Sequence, residues 1–281
     1  MEIIYDRSTL VKKRAEWENR SGKIGFVPTM GALHAGHISL IQAASVQTDF
    51  VVASIFVNPT QFNNQQDFLK YPVSVDQDLE MLMQAGCDAV FLPSVEDIYP
   101  SDGHRKYTLD LGYIGQCLEA AKRPGHFEGV VEVVHILFSL VRPDKVFFGA
   151  KDYQQVMVIR KLLKDTGWPI ELISCPTVRE PDGLAMSSRN RRLTPEYRQM
   201  ALLLSQTLEK LKNADRNVSI PVLTKGYIED LNKMDALEVD YLELVDYQTL
   251  KPLSEWNPKG ENLAVIAVQV GEVRLIDNLL F

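Results

Sequence analysis

Phe50-Val51-Val52-Ala53-Ser54-Ile55-Phe56-Val57 is an eight-residue run that is apolar except at Ser54. A strand with one wet face alternates apolar and polar residues, whereas a strand apolar throughout must be covered on both faces. Shorter runs of the same kind recur at Lys23–Val27, Ala89–Leu92, Lys145–Phe148 and Ile170–Ser174. Between them lie helix-compatible segments: Ile38–Ser45, Asp76–Ala85 with Leu79, Leu82 and Met83 on one face, Gly129–Val141, and Tyr153–Thr166. Buried strands separated by helices make a parallel sheet with helices on both sides. The expected fold class is therefore α/β, a doubly wound parallel sheet.

The pattern changes after about residue 176. Arg179–Arg192 is polar, turn-rich and locally basic. Thr194 is suited to cap a helix with Pro195 in its first turn; that helix should run to about Lys212, with a second over Pro221–Met234. Three strands are expected at Val239–Val245, Leu263–Val270 and Glu272–Ile276, the last two joined as a hairpin at Gly271. The expected division is a larger domain over 1–176 and a smaller α+β domain over 185–281.

Composition narrows the function. The net charge of −7 is spread evenly, with no basic stripe, which argues against a nucleic-acid partner. A small anionic ligand remains compatible, because it needs only a few local donors. No apolar run approaches the ~18 residues of a membrane span, and Met1–Asp6 does not read as a signal peptide. Cys87, Cys117 and Cys175 form no CxxC pair, so a reducing, cytoplasmic setting is expected.

Four segments can carry chemistry. Pro28–His37 joins a buried strand to a helix, where ligands bind in open α/β sheets. Its glycines allow close backbone approach, the helix start offers free N–H groups, and His34 and His37 share the first turn. Without a third ligand at a telling spacing, zinc is not expected there. Phe56–Phe62 follows the second strand, and Asn58 and Gln61 could orient a ligand carrying a carboxylate and hydroxyls. Gly149–Gln155 opens another helix; a cation such as Lys151 is ill placed for the helix dipole unless an anion lies between them. In Met186–Asn190, two serines beside Arg189 could grasp a polyphosphate. Each segment has a bland alternative: a Gly turn with surface histidines, an Asn-Pro turn, a surface lysine, an interdomain linker. No Walker A sequence and no Gly-x-Gly-x-x-Gly after a strand is present.

These segments, with Arg123-Pro124-Gly125-His126-Phe127, resemble in order and spacing the pantoate–β-alanine ligase family of the HxGH nucleotidyltransferase superfamily. The resemblance spans essentially the whole chain. It implies a Rossmann-like ATP-binding domain, a smaller C-terminal domain acting as a hinged lid, and a homodimer. It also implies that pantoate and ATP, with Mg²⁺, form pantoyl adenylate, from which β-alanine displaces AMP. Carried over by motif, the ATP site comprises Met30, Gly31, Ala32, Leu33, His34, Ala35, Gly36 and His37; Gly149, Ala150, Lys151 and Asp152; Val178; and Met186, Ser187, Ser188 and Arg189. His37, His34 and Lys151 are the implied catalytic residues. Gln61 and Gln155 are implied for pantoate and Arg123 for the β-alanine path, with Asn58 a further substrate-binding candidate from its residue type. Position 150 is Ala where the family often has a longer polar residue. Asp76 and Asp78 are candidates toward Mg²⁺, the favoured reading being a solvated, acidic helix start. A nucleotidyltransferase without amide formation, or a nucleotide-binding protein without turnover, are the alternative readings.

Overall fold

The computed structural model describes residues 1–18, 22–63, 68–103, 105–257 and 260–281. Six strands, β1 (Glu2–Ile4), β2 (Ile24–Thr29), β3 (Phe50–Ile55), β4 (Ala89–Phe91), β5 (Lys145–Gly149) and β6 (Glu171–Cys175), form one sheet in the order β1-β4-β3-β2-β5-β6, every pair parallel. The apolar run at residue 50 is inner strand β3, with Val51–Ile55 buried. Successive residues supply opposite faces: Phe26, Val52 and Phe148 belong to one core, Val27, Val51 and Phe147 to the other. The chain builds β3 and β4 to one side of β2, and β5 and β6 to the other. A crevice therefore opens between the carboxyl ends of β2 and β5, the switch point of a doubly wound sheet.

Helices α1 (Arg7–Glu18), α2 (Ala35–Gln47), α3 (Val75–Gln84), α4 (His126–Val141) and α5 (Tyr153–Thr166) cover this sheet. Twelve of the sixteen residues of α4 are buried, which explains why its apolar positions wrap most of the helix. It begins three residues before the expected Gly129. A Cβ at Gly129 would lie 2.5 Å from the Thr60 carbonyl oxygen, so α4 and the turn after β3 touch backbone to backbone. No single helix among the described residues is long and apolar enough to cross a membrane.

Strand β1 and helix α1 are not announced by the sequence pattern, nor are the short helices Val95–Ile98 and Leu118–Lys122. Strand β1 has three residues, too few to display a period. Helix α1 buries only Leu10 and Trp17, so its sequence carries little periodic signal. The Asp6 carboxylate supports its first turn by accepting the Thr9 N–H at 2.8 Å and the Ser8 and Thr9 hydroxyls.

Strands β7 (Leu237–Asp246), β8 (Asn262–Val270) and β9 (Val273–Leu280) form an antiparallel sheet against which α6 (Pro195–Lys212) and α7 (Ile220–Leu231) pack. Thr194 caps α6 as expected, accepting the Tyr197 N–H at 3.2 Å. Strand β9 continues beyond the expected Ile276 through Asp277 and Asn278, both buried. Arg274 on β9 reaches beyond its own sheet to the short helix Leu118–Lys122, forking onto Glu119 at 2.7 and 2.8 Å, and also bonds Asp240 of β7 at 2.6 Å. Burial opposes the charge on Glu119, yet the Arg274 fork, the Tyr241 hydroxyl and Arg123 hold its pKa at about 2.

Gly129→Ala should destabilise the protein by about 1–3 kcal/mol through overpacking, although Gly→Ala inside a helix ordinarily stabilises by about 1 kcal/mol. The urea midpoint reads the sign; an upward shift would contradict the backbone contact at Thr60.

Candidate active site

The loop leaving β2 is bent into an uncommon shape. Gly31 has φ +81° and Ala32, which carries a Cβ, has φ +50°. A non-glycine in that region is strained by about 1–2 kcal/mol and persists only when its surroundings fix it. The fixing group is Asp78 on α3, 1% exposed. Its two carboxylate oxygens accept the N–H groups of Ala32 and Leu33, each at 2.8 Å, and the Ser74 hydroxyl donates to it at 3.1 Å. Asp78 is therefore neither a solvated helix-start charge nor a carboxylate open to a cation, and the expectation for it is corrected. Asp76 is exposed.

The loop delivers two histidines to the start of α2. His34 is the cap residue; its Nδ1 accepts the Gly36 N–H at 3.2 Å, while Nδ1 of His37 accepts the His34 N–H at 3.3 Å. With both Nδ1 atoms accepting, the proton of each neutral ring resides on Nε2. The ring centroids are 4.1 Å apart. Burial, then Lys151 and Arg191, lowers the His34 pKa to about 4; burial, then His34, Lys151 and Arg191, lowers that of His37 to about 3. Both rings are neutral donors at physiological pH. Gly36 is required here because a Cβ would lie 2.9 Å from the His34 ring.

Two further loops meet this helix start. After β5, Ala150–Asp152 forms one tight turn, with Lys151 18% exposed and its ammonium 3.6 Å from Asp152. After β6, Arg179 and Ala185 pair as a short hairpin, from which the chain enters Met186–Arg189. The Met186 N–H donates to the Val178 carbonyl at 3.0 Å, and the Ser187 hydroxyl accepts the Arg189 N–H at 3.3 Å. Arg191 ties this loop to the first by donating to the Leu33 carbonyl at 3.0 Å.

The loops enclose two adjoining compartments. The first, about 160 Å³, brings together His34, Gly36, Gly149, Lys151, Val178 and Met186–Ser188. The second, about 180 Å³, holds Asn58, Gln61, Arg123 and Arg189. Met30, His37, Asp152 and Gln155 line both. Gly31, Ala32, Leu33, Ala35 and Ala150 line neither; Ala32 and Leu33 are fully buried behind the loop.

The amides divide by role. Asn58 is 1% exposed; its Oδ1 accepts from the Thr60 backbone and hydroxyl and from the Tyr99 hydroxyl, and its Nδ2 donates to Gln61 Oε1 and the Gly129 carbonyl. It is thus held by protein groups and orients Gln61, whose Nε2 donates to Met30 Sδ at 2.8 Å. Gln154 is buried and bonded to the Ile114 and Cys117 carbonyls and the Glu119 N–H, while its neighbour Gln155 faces both compartments. Tyr71 lines both compartments. His126 donates from Nδ1 to the Gln61 carbonyl at 2.8 Å and is lowered to about 4 by burial and then Arg123. The sequence signal for Asp78, an acid in a helix first turn, is common to many solvated helices. That for Asp277-Asn278 is sharper: two polar residues interrupting Leu275-Ile276 and Leu279-Leu280.

The sequence model of the pantoate-beta-alanine ligase family matches residues 2–280. The chain belongs to that family. Among its relatives, a pantothenate synthetase of Porphyromonas gingivalis is 43% identical over 281 residues, covering 100% of this chain and 99% of its own length. One of Cytophaga hutchinsonii is 45% identical over 271 residues, covering 95% and 94%. The crystal structure of the pantothenate synthetase from Thermus thermophilus superposes with a TM-score of 0.91 at 40% identity, covering 100% of this chain and 99% of that one. A pantoate-beta-alanine ligase from Francisella tularensis, complexed with beta-gamma ATP and beta-alanine, gives 0.83 at 38% identity, covering 100% and 97%.

The partly desolvated imidazoles of His34, His37 and His126 make stability depend on pH. Unfolded, they titrate near 6.5; folded, His34 and His126 stay neutral to about 4 and His37 to about 3. Between about pH 6.5 and 4 the unfolded chain binds more protons, so stability falls as pH falls through that window. The denaturation midpoint should drop from pH 7 to pH 5, and His126→Gln should flatten the drop. A midpoint constant over that range would mean that these rings charge freely in the folded state.

Proposed function

We propose that the two compartments form the site of an ATP-dependent ligase that joins pantoate to β-alanine through pantoyl adenylate, releasing pyrophosphate and then AMP. The observation that carries this reading is the pair of neutral Nε2–H donors at the start of α2, sharing one compartment with Lys151 and adjoining a second lined by uncharged amides. ATP occupies the first compartment and pantoate the second, where Gln61 and Gln155 orient its carboxylate and hydroxyl groups without a tight ion pair.

Attack of the pantoate carboxylate on the α-phosphorus breaks the bond to pyrophosphate. Negative charge grows on the equatorial oxygens and the leaving group, so fixed donors are the main catalytic means. His37, His34 and Lys151 supply them, and the attacking carboxylate needs no general base. In the second half-reaction the β-alanine nitrogen, arriving unprotonated, bonds to the acyl carbon as the acyl–phosphate bond breaks; AMP leaves with the bonding pair, and the proton that the nitrogen sheds passes to the departing phosphate or to solvent. Arg123, on the wall of the pantoate compartment, is assigned to the carboxylate of β-alanine. Arg189 is assigned to the phosphates from the wall it shares with Arg123.

Mg²⁺ is assigned to the phosphates of ATP, where it would neutralise charge. Asp78 is fully engaged by amide hydrogens, and among the described residues no three His, Cys, Asp or Glu side chains are grouped to hold a metal. We further assign 1–176 as the ATP- and pantoate-binding domain and 185–281 as a smaller lid, in a cytoplasmic homodimer. A lid suits this chemistry because acyl adenylates hydrolyse in water.

The deciding measurement is pantoate-dependent exchange of labelled pyrophosphate into ATP without β-alanine. Folded protein that supports no exchange with Mg²⁺ present would sink the ligase reading. Lys151→Ala should slow adenylation by about 10²–10³-fold, the scale for one lost electrostatic donor, with little change in thermal midpoint. Gln155→Ala should weaken pantoate more than ATP; equal weakening of both would remove it from the pantoate site.

A further inference from the structure

Asp277 and Asn278 are consecutive residues on β9, so their side chains leave opposite faces of the strand. Both are nonetheless buried, at 4% and 8% exposure. Each holds a different loop of the nucleotide compartment. The Asn278 amide directs both hydrogens of Nδ2 at backbone carbonyls, Ala150 at 2.9 Å and Lys151 at 2.7 Å. Two carbonyl acceptors fix which way the amide faces, because its oxygen could not occupy that position. The Asp277 carboxylate takes the Arg179 guanidinium in a fork, at 2.6 and 3.0 Å. Arg179 also donates to the carbonyls of Gly183, across its own hairpin, and of Asn278. The Asn278 N–H closes the group by donating to Asp277 at 2.8 Å.

One dipeptide of the antiparallel sheet therefore grips the turn bearing Lys151 on one side and the base of Met186–Arg189 on the other. We propose that Asp277 and Asn278 are positioning residues that set these two loops at a fixed separation, so that the affinity for ATP depends on a strand that does not line the ATP compartment. This rests on the assignment of that compartment to ATP. A buried Asn and Asp that merely stabilised the fold would affect both substrates alike, whereas a spacer between two phosphate-grasping loops affects the nucleotide selectively.

The test separates these roles. Asn278→Asp keeps the shape, removes both donors and sets a carboxylate against two carbonyl oxygens; Asn278→Ala removes the donors without repulsion. ATP·Mg²⁺ affinity is measured by calorimetry, and the KM values for ATP and pantoate in pyrophosphate exchange. We expect ATP to bind at least ten-fold more weakly in N278D and to an intermediate degree in N278A, with the KM for pantoate within two-fold of wild type. Asp277→Asn and Arg179→Gln should each weaken ATP, and the double variant no more than either alone. Unchanged ATP affinity in folded N278A, or equal weakening of ATP and pantoate, overturns the proposal. Should N278D fail to fold, N278A and the Asp277–Arg179 pair decide it. Wild-type protein that binds ATP but supports no exchange would refute the ligase reading, while the calorimetric comparison would still judge the spacer.

Discussion

The buried carboxylate of Asp78, with an amide hydrogen on each oxygen, is the interaction on which the site depends. It gives partners to two N–H groups that would otherwise be buried unpaired, and it holds Ala32 in a left-handed conformation that its own Cβ disfavours. That bend sets where α2 begins. The start of α2 in turn fixes both imidazoles, because each ring accepts a backbone N–H of the turn it belongs to. Helix capping and the orientation of the two imidazoles are one set of hydrogen bonds.

An acidic chain binds a polyanionic nucleotide because its charge is local in effect. Lys151 and Arg191 contribute positive potential at the α2 start and also help keep the histidines uncharged. The histidines thus act as directional donors, while formal positive charge resides on longer side chains. The same division holds in the second compartment, where Asn58 is held by the protein so that Gln61 is held in turn.

What was legible in the sequence was what is local. Inner strands declared themselves by being apolar on both faces, and the β2–α2 junction by its glycines and histidines. The helix at Thr194 was marked by its cap. Contacts between residues distant in sequence were not legible. Asp78 lies 46 residues from the amide of Ala32, and nothing within α3 distinguishes it from an ordinary acidic first turn. The sequence pattern ends β9 at Ile276; the partners that bury Asp277 and Asn278 lie in other loops. The residue type of Asn58 suits a ligand contact and does not reveal that five protein groups already engage it.

The hold of β9 on the cleft has a consequence for folding order. A ribosome releases the parallel sheet first, and the Lys151 turn emerges with it. Its carbonyls gain their amide partner only from Asn278, 127 residues later than Lys151, and Arg179 waits 98 residues for Asp277. Contacts so far apart in sequence close late. The parallel sheet can therefore be complete in a nascent chain while the Lys151 turn and the Arg179 hairpin still wait for the strand that fixes them.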